Sequence, residues 1–485
     1  MNARADTPTP AAAATSIIAA FNRRTLQSKA ASAANRRVLA DKSGIGVPFS
    51  QLAKEALYPL VATRAEGPYL WDADGHRYVD ILMGMGINLF GHNPPFIRQA
   101  IEEQLAKGFA LGPQSDLASE TAEMFCRLTG HERVTFSNTG TEAVMTALRI
   151  ARAATGRSRI AIFTGSYHGH CDQVLNRPAT FGDAPGALRR VMPPLARRWM
   201  AYRAMPAFTG IPPAGARDVV LLDYADPRSL DLLRRKGRQI AAVLVEPVQS
   251  RNIDLQPRAF LSTLRAITEQ TGTALIFDEM ISGFRVAPGG AQAHFGVKAD
   301  IATYGKIAGG GMPLALIAGS SRFMDHVDGG DWDYGDASAP RVTPTFVAGT
   351  YCRHPLALAA ARAAARHMLE QGPALQEQLN ARTGALVTRL NQSLAKAKLP
   401  VVFTHFGSFF VLAAGRSRVP PLALNLMSLL LLTAGIHLRG GDRGGFLSTA
   451  HGDADIDTIH DAFCQSLQSL AGLGLLPLAD GAHTP

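Results

Sequence analysis

Two residues open the chemistry of this chain. Asp278 ends the apolar run Ala-Leu-Ile-Phe-Asp, and Lys306 follows Ile-Ala-Thr-Tyr-Gly and precedes Gly309-Gly310-Gly311. A carboxylate is costly to bury alone, so something cationic should face Asp278. A lysine on a glycine-rich loop, desolvated enough to present a free amine, can form a Schiff base with a carbonyl-bearing cofactor. An ordinary Asp–Lys ion pair is the other reading of the same two residues. Upstream, Ser137-Asn138-Thr139-Gly140-Thr141-Glu142 feeds the helical pattern AVMTALRIARAA. Free N–H groups and the positive dipole end at such a turn bind phosphate, although the same turn also serves as a plain helix cap. Ser166-Tyr167-His168-Gly169-His170 follows another apolar run, where an aromatic side chain can stack on a flat ring and histidines can move protons. A turn with internally satisfied side chains is the alternative. Taken together, the phosphate turn, aromatic residue, carboxylate and lysine fit pyridoxal phosphate, whose ring nitrogen takes an acidic partner and whose aldehyde takes a lysine.

These residues need a scaffold that delivers them to one place. Apolar runs at 133–137, 160–163, 219–223, 241–246, 274–278, 301–304 and 314–318 are mostly separated by lengths that suit a helix. That pattern predicts an α/β fold with a mostly parallel sheet buried on both faces, whose ligand sits beyond the carboxyl ends of the strands. The expected division is a flexible tail over 1–20, an N-terminal segment over 21–111 that completes a small domain, a large domain over 112–348 and a smaller α+β domain over 349–485. Asp74-Gly75 predicts a hairpin turn, and residues 422–433 predict a buried helix too short to span a bilayer. Residues 180–215 read as a long surface excursion.

The 485 residues carry 49 Lys and Arg against 39 Asp and Glu, a net charge of +10, with 47% hydrophobic residues. The apolar content excludes disorder as a whole-chain description. Four scattered cysteines, Cys126, Cys171, Cys352 and Cys464, suit a reducing compartment better than a disulfide scaffold, and no secretory pattern opens the chain, so a cytoplasmic location is expected. The excess charge invites a nucleic-acid reading, but no helix-turn-helix pattern precedes Leu70, and neither a nucleic-acid partner nor a metal centre is expected. The charge is uneven. Residues 1–40 hold six Lys or Arg against one Asp, and Arg189, Arg190, Arg197, Arg198 and Arg203 form a second group.

With those residues in view, the sequence resembles the class III, fold type I pyridoxal-phosphate aminotransferases, in particular the glutamate-1-semialdehyde aminomutase branch. The likeness runs from about residue 65 to 450 through LWDADGHRYVD, GHNPP, NTGTEAVMTALRIAR, SYHGH, LVEPVQ, FDEMISGFR, YGKIAGGGMPLA and AGTYCRHPLALAA. The resemblance implies a seven-stranded large-domain sheet, Lys306 bonded to the cofactor aldehyde and Asp278 at the pyridinium nitrogen. It further implies Tyr167 on the ring, Thr139, Gly140 and Thr141 at the phosphate, and Glu246 near the cofactor. Thr350 would reach the neighbouring subunit's cofactor phosphate, which implies a homodimer. VEPVQSRNIDLQPRAFL, DWDYGDASAP and GIHLRGGDRGGFLSTAH are similar to aminotransferase domains of hybrid polyketide/nonribosomal-peptide synthetases, which aminate a β-keto acyl chain on a carrier protein. The chain reads as a free-standing version of such a domain, acting in secondary metabolism.

Three departures bear on the substrate. Gly84-Met85-Gly86-Ile87-Asn88 stands where the aminomutase pattern is GSWGP, Met280 replaces a valine, and Cys352-Arg353-His354-Pro355 replaces SGNP. A thioether in place of an indole opens and softens the pocket wall. Met85, Asn88 and His168 are the expected substrate-pocket residues, and Met280 is expected beside the cofactor. The expected activity is transfer of an amino group from an amino-acid donor to a carbonyl of an acyl acceptor, with a carrier protein as a further partner. The alternatives are a 2,1-aminomutase and an ω-aminotransferase acting on a free aldehyde or ketone.

Overall fold

The computed structural model describes residues 9–40, 49–180 and 203–478, and it forms two compact units. One joins Met1–Pro95 with Leu375–Pro485, and the other is Phe96–Ala374. The expected large domain, 112–348, is thus extended at both ends. At its C-terminal end the alanine row of the helix Pro355–Gln371 packs on the helix Leu117–Thr129, so it belongs with the sheet-bearing unit. Alanines permit that closeness, and a Cβ on Gly310 would lie 2.7 Å from the Ala360 carbonyl oxygen.

The sequence predicts a flexible tail over 1–20, but Pro10–Arg24 is a helix, with Thr9 at its N-cap and Pro10 at its first position, while residues 1–8 lie outside the described residues. Ala13, Ala14, Ile17, Ile18 and Phe21 recur at helical spacing and are buried, largely against the helix Pro421–Thr433. Alanine content that reads as low complexity is therefore a close-packing face. Strands β1 (Ala62–Glu66), β2 (Tyr69–Asp72) and β3 (Arg77–Asp80) form an antiparallel meander, and Gly75 supplies the positive φ of +85° in the expected turn.

The central unit is built on β4 (Arg133–Ser137), β5 (Arg159–Phe163), β8 (Val219–Leu222), β9 (Ile240–Val245), β10 (Ala274–Asp278), β11 (Ile301–Tyr304) and β12 (Ala315–Gly319). Their order is β4-β12-β11-β10-β9-β5-β8, with β12 antiparallel to both neighbours and every other pair parallel. The continuous aliphatic runs follow from burial on both faces, and all six residues of β9 are buried. Helix Gly140–Thr155 covers one face through Ala143, Val144, Ala147, Leu148 and Ala151, which cluster with Ile162, Leu244, Ile276 and Ile317. A ribbon of β6 (Asn176–Pro178) and β7 (Ala204–Pro206) marks the described ends of the expected excursion. Arg189, Arg190, Arg197 and Arg198 lie outside the described residues.

The first unit resumes with β13 (Phe403–Phe406), β14 (Phe409–Leu412), β15 (Ile436–His437) and β16 (Gly444–Phe446). β13, β14 and β16 form a three-stranded sheet, while β15 pairs parallel to β3 and sets His437 opposite Asp80. The helix expected at 422–433 spans Pro421–Thr433 and is buried along one side. Among the described residues no helix is long and apolar enough to cross a membrane.

Candidate active site

The ends of five parallel strands carry the polar residues that the sequence singles out. β4 ends at Ser137, and Thr139 caps the following helix by accepting the Glu142 N–H at 3.2 Å. Glu142 in turn accepts the Asn138 N–H at 2.8 Å. The two readings of this turn are therefore compatible. Thr139 is a helix cap, while the N–H groups of Gly140 and Thr141 have no acceptor among the described residues and point from the positive end of the helix dipole. Thr141 Oγ1 accepts the His170 N–H at 3.2 Å, and a Cβ on Gly169 would come within 2.5 Å of that oxygen. The β5 loop and the phosphate-type turn are thereby clasped together.

Tyr167, on the loop after β5, is 50% exposed, so a ring face is open to a ligand. Its backbone N–H donates to Glu246 Oε2 at 2.9 Å, and Glu246 Oε1 accepts the Ser250 N–H at 3.2 Å. Burial raises the Glu246 carboxyl pKa and the negative charge of Asp278 adds to that, while His168 opposes it. Glu246 thus ties the β9 loop to the aromatic residue. Two neighbours escaped the sequence reading. Gln249 Nε2 donates to the Thr164 carbonyl and to Ser166 Oγ, each at 2.8 Å, and the Arg251 guanidinium lies 5.8 Å from the centre of the Tyr167 ring.

Asp278 is buried at the end of β10, as expected, but its partner is corrected. His168 Nδ1 meets Asp278 Oδ2 at 2.7 Å, and Lys306 forms no ion pair or hydrogen bond among the described residues. His168 is equally buried, which moves it from the expected substrate pocket to a place behind Asp278. Its Nε2 is buried with no partner among the described residues, and Asp278 Oδ1 accepts the Met280 N–H at 3.1 Å.

Lys306 follows β11 in a left-handed conformation, φ +47°, as the first residue of the 3-10 turn Lys306–Gly309, with Gly305 before it and Gly310 after it. A non-glycine residue held there stores strain, which persists only where the surroundings enforce it. Burial lowers the amine's pKa, Asp278 and Glu246 pull it back up, and Arg285 lowers it again; the net direction is down. More of the lysine is therefore the free, nucleophilic amine at neutral pH. Arg285 is itself fully buried, and burial brings its pKa down to about 9.

Met280 joins the two halves of the site. A Cβ on Gly140 would lie 2.9 Å from its Sδ, and one on Gly305 would lie 2.7 Å away. Its thioether is wedged between the phosphate-type turn and the residue before Lys306, which explains both glycines. Thr350 is exposed, on a turn where Asn138 Nδ2 approaches Cys352 Sγ at 3.7 Å. His354, in the replaced SGNP stretch, caps the helix Pro355–Gln371 by accepting the Leu356 N–H at 3.2 Å. Met85 and Asn88 belong to the other unit, in a run described below.

Pyridoxal phosphate fits this residue set. The unclaimed N–H groups of Gly140 and Thr141 suit a phosphate, the open Tyr167 face suits a ring, and the buried Asp278 suits a protonated ring nitrogen. Lys306 supplies an unpaired amine.

Residues 51–413 match the family described as Aminotransferase class-III. A glutamate-1-semialdehyde 2,1-aminomutase from Herminiimonas arsenicoxydans is 34% identical over 445 residues, which cover 88% of this chain and 95% of that protein. The crystal structure of a β-phenylalanine aminotransferase from Variovorax paradoxus superposes with a TM-score of 0.79 at 28% identity, covering 96% of this chain and 99% of the other. A transaminase solved with PLP bound gives 0.77 at 28% identity, covering 92% and 98%.

Proposed function

The chain belongs to the class-III aminotransferases, pyridoxal-phosphate enzymes of fold type I, and on that premise we propose that it moves an amino group from an amino-acid donor to a carbonyl of an acyl acceptor. The observation that carries the residue roles is Lys306, a partly desolvated amine with no partner among the described residues, on a strained turn one strand away from a buried Asp278. When bound, the cofactor supplies an aldehyde that receives the amine and a ring that takes up the electrons of a substrate carbanion. Lys306 would hold the cofactor through that aldehyde and, as a free amine, would carry the proton from the donor's α-carbon to the carbon that receives the amino group. Asp278, oriented by His168, holds the proton on the ring nitrogen. Gly140, Thr141 and the Thr139 turn bind the phosphate, and Glu246 keeps Tyr167 on the ring.

The acceptor is a β-keto acyl chain carried on an acyl carrier protein, in secondary metabolism. The support for this lies in the resemblance of several motifs to synthetase-embedded aminotransferase domains and in Met85, which stands where the aminomutase pattern has an aromatic residue. Met85 and Asn88 contact the substrate in this reading. The enzyme works as a homodimer with Thr350 at the partner's phosphate, a role supported by the exposed Phe346 and Tyr351 that flank it. A second reading, the 2,1-aminomutase, is favoured by the name of the 34% identical relative.

One experiment separates these readings. The pyridoxamine form is mixed with matched β-keto acids, their carrier-protein thioesters, fatty aldehydes and glutamate-1-semialdehyde, and return of the aldehyde-form absorption is followed. Reaction with the thioesters is expected. Reaction with free aldehydes alone removes the tethered substrate, and turnover of the semialdehyde without release of a keto acid establishes the mutase.

A further inference from the structure

Between β3 and residue 92 the backbone does something costly. Met83, Gly84, Met85 and Gly86 all have positive φ, at +46°, +62°, +59° and +86°. Two of the four are not glycine, so the run is strained, and strain of this kind concentrates at ligand clamps. At its crown the Met85 side chain is 46% exposed.

The device that enforces the run is Asp80. This carboxylate is almost completely buried, and Oδ1 accepts from His437 Nδ1 at 2.7 Å and from the Leu82 N–H at 2.8 Å. Oδ2 accepts from His92 Nε2 at 2.7 Å and from the Met83 N–H at 3.2 Å. Burial alone would raise its pKa, yet the hydrogen bonds from His437 and His92 hold it well below the ordinary carboxylate range. With the Nε2 proton of His92 given to Asp80, its Nδ1 is the acceptor for Asn88 Nδ2 at 3.1 Å. That bond fixes which way the Asn88 amide faces and leaves Asn88 Oδ1 without a donor among the described residues.

We propose that Asp80, through its paired histidines His92 and His437, is the positioning residue that holds the left-handed run Met83–Gly86 and the Asn88 amide as a preformed recognition element for the acyl acceptor. This rests on the reading of Met85 and Asn88 as substrate contacts. The thioether of Met85 takes a methylene segment, and Asn88 Oδ1 takes a hydroxyl or amide N–H of the acceptor. Asp80 touches no reacting atom; it removes the ordering that binding would otherwise have to supply.

The test is steady-state kinetics on the holoenzyme with acceptor varied. Asp80→Asn places an amide N–H among four donors, and His92→Gln keeps a donor to Asp80 but drops Asn88. Both variants are expected to raise the acceptor KM about tenfold while kcat stays within about threefold and the cofactor absorption is unchanged. Met85→Ala and Asn88→Ala, run alongside, are expected to shift the same KM. If those two shift it and the Asp80 and His92 variants do not, or lower kcat at constant KM, the anchoring role is refuted while the pocket reading stands. If Met85→Ala and Asn88→Ala leave KM unchanged, the pocket reading fails and the proposal falls with it. Should Asp80→Asn not fold, His92→Gln decides alone.

Discussion

Gly140→Ala tests whether Met280 is the wedge that joins the phosphate-type turn to the lysine loop. The new Cβ would sit 2.9 Å from Met280 Sδ, 3.4 Å from Cε and 3.5 Å from Cγ. An ordinary contact of this kind is about 3.5–4.0 Å, so the sulfur must give by roughly 0.8 Å. Its retreat toward the lysine loop is limited, because the sulfur already fills the space in which a Gly305 side chain would begin. Overpacking typically costs about 1–3 kcal/mol, and a flexible thioether places this site near the lower end, about 1 kcal/mol. The first-turn N–H groups stay in place, so any change in cofactor affinity reports the displaced thioether. In a Met280→Ala background all three clashing atoms are gone, and Gly140→Ala should be neutral or slightly stabilising, since alanine is the better helix former. A double-mutant cycle, read by urea unfolding of the cofactor-free protein and by absorbance titration with pyridoxal phosphate, should give a coupling of about 1 kcal/mol. Additive effects, within about 0.3 kcal/mol, would refute the wedge.

Three further outcomes follow from the same geometry. Burial raises the Glu279 carboxyl to about 7 and lowers His131 to about 4. As pH rises from about 4.5 to 7 the folded chain keeps a Glu279 proton that the unfolded chain releases, so this contribution to stability is lost with rising pH; His131, refusing a proton below 6.5, contributes stability that is lost with falling pH. The two oppose each other, and Glu279→Gln should steepen the acid-side loss in urea unfolding by about 3 kcal/mol, whereas parallel pH curves would contradict the assignment. Glu246→Gln turns an amide N–H toward one of two backbone donors, Tyr167 or Ser250, and should cost about 1–3 kcal/mol in unfolding together with weaker cofactor binding; unchanged affinity would mean that Tyr167 does not need this tie. Asp278→Asn can still accept from His168 and should fold, yet the donor half-reaction should slow by about 100-fold or more in stopped-flow absorbance. An unaffected rate would make the carboxylate structural.

Which parts of this were readable in the sequence follows from what each depends on. A polar residue at the end of an apolar run is visible locally, so Asp278, Lys306 and the turn at Thr139 could be singled out, whereas Glu246 came only from the family resemblance, and the seven strands lie within a residue or so of their expected positions. The partner of Asp278 was not visible, because it depends on β5 and β10 ending at the same level on either side of β9, a matter of register across the sheet. Gln249 and Arg251 carry no local signal, and they matter only because β9 returns beside β5. The alanines of the first helix misled for a physical reason: small residues that mark loose chain when exposed mark close helix packing when they recur at helical spacing. A unit built from two distant stretches of chain likewise leaves no composition break at its borders, so the boundaries shifted while the elements held.

The central claim is that Lys306 is the residue that bonds to the cofactor. Holoenzyme reduced with borohydride, digested and sequenced by mass spectrometry tests it directly, because reduction fixes the cofactor to whichever amine holds it. A single phosphopyridoxyl-modified peptide carrying the modification on Lys306 is expected, absent from Lys306→Ala, which should also lose turnover and the visible absorption of the bound cofactor. Modification at another lysine, or normal turnover in Lys306→Ala, would contradict it.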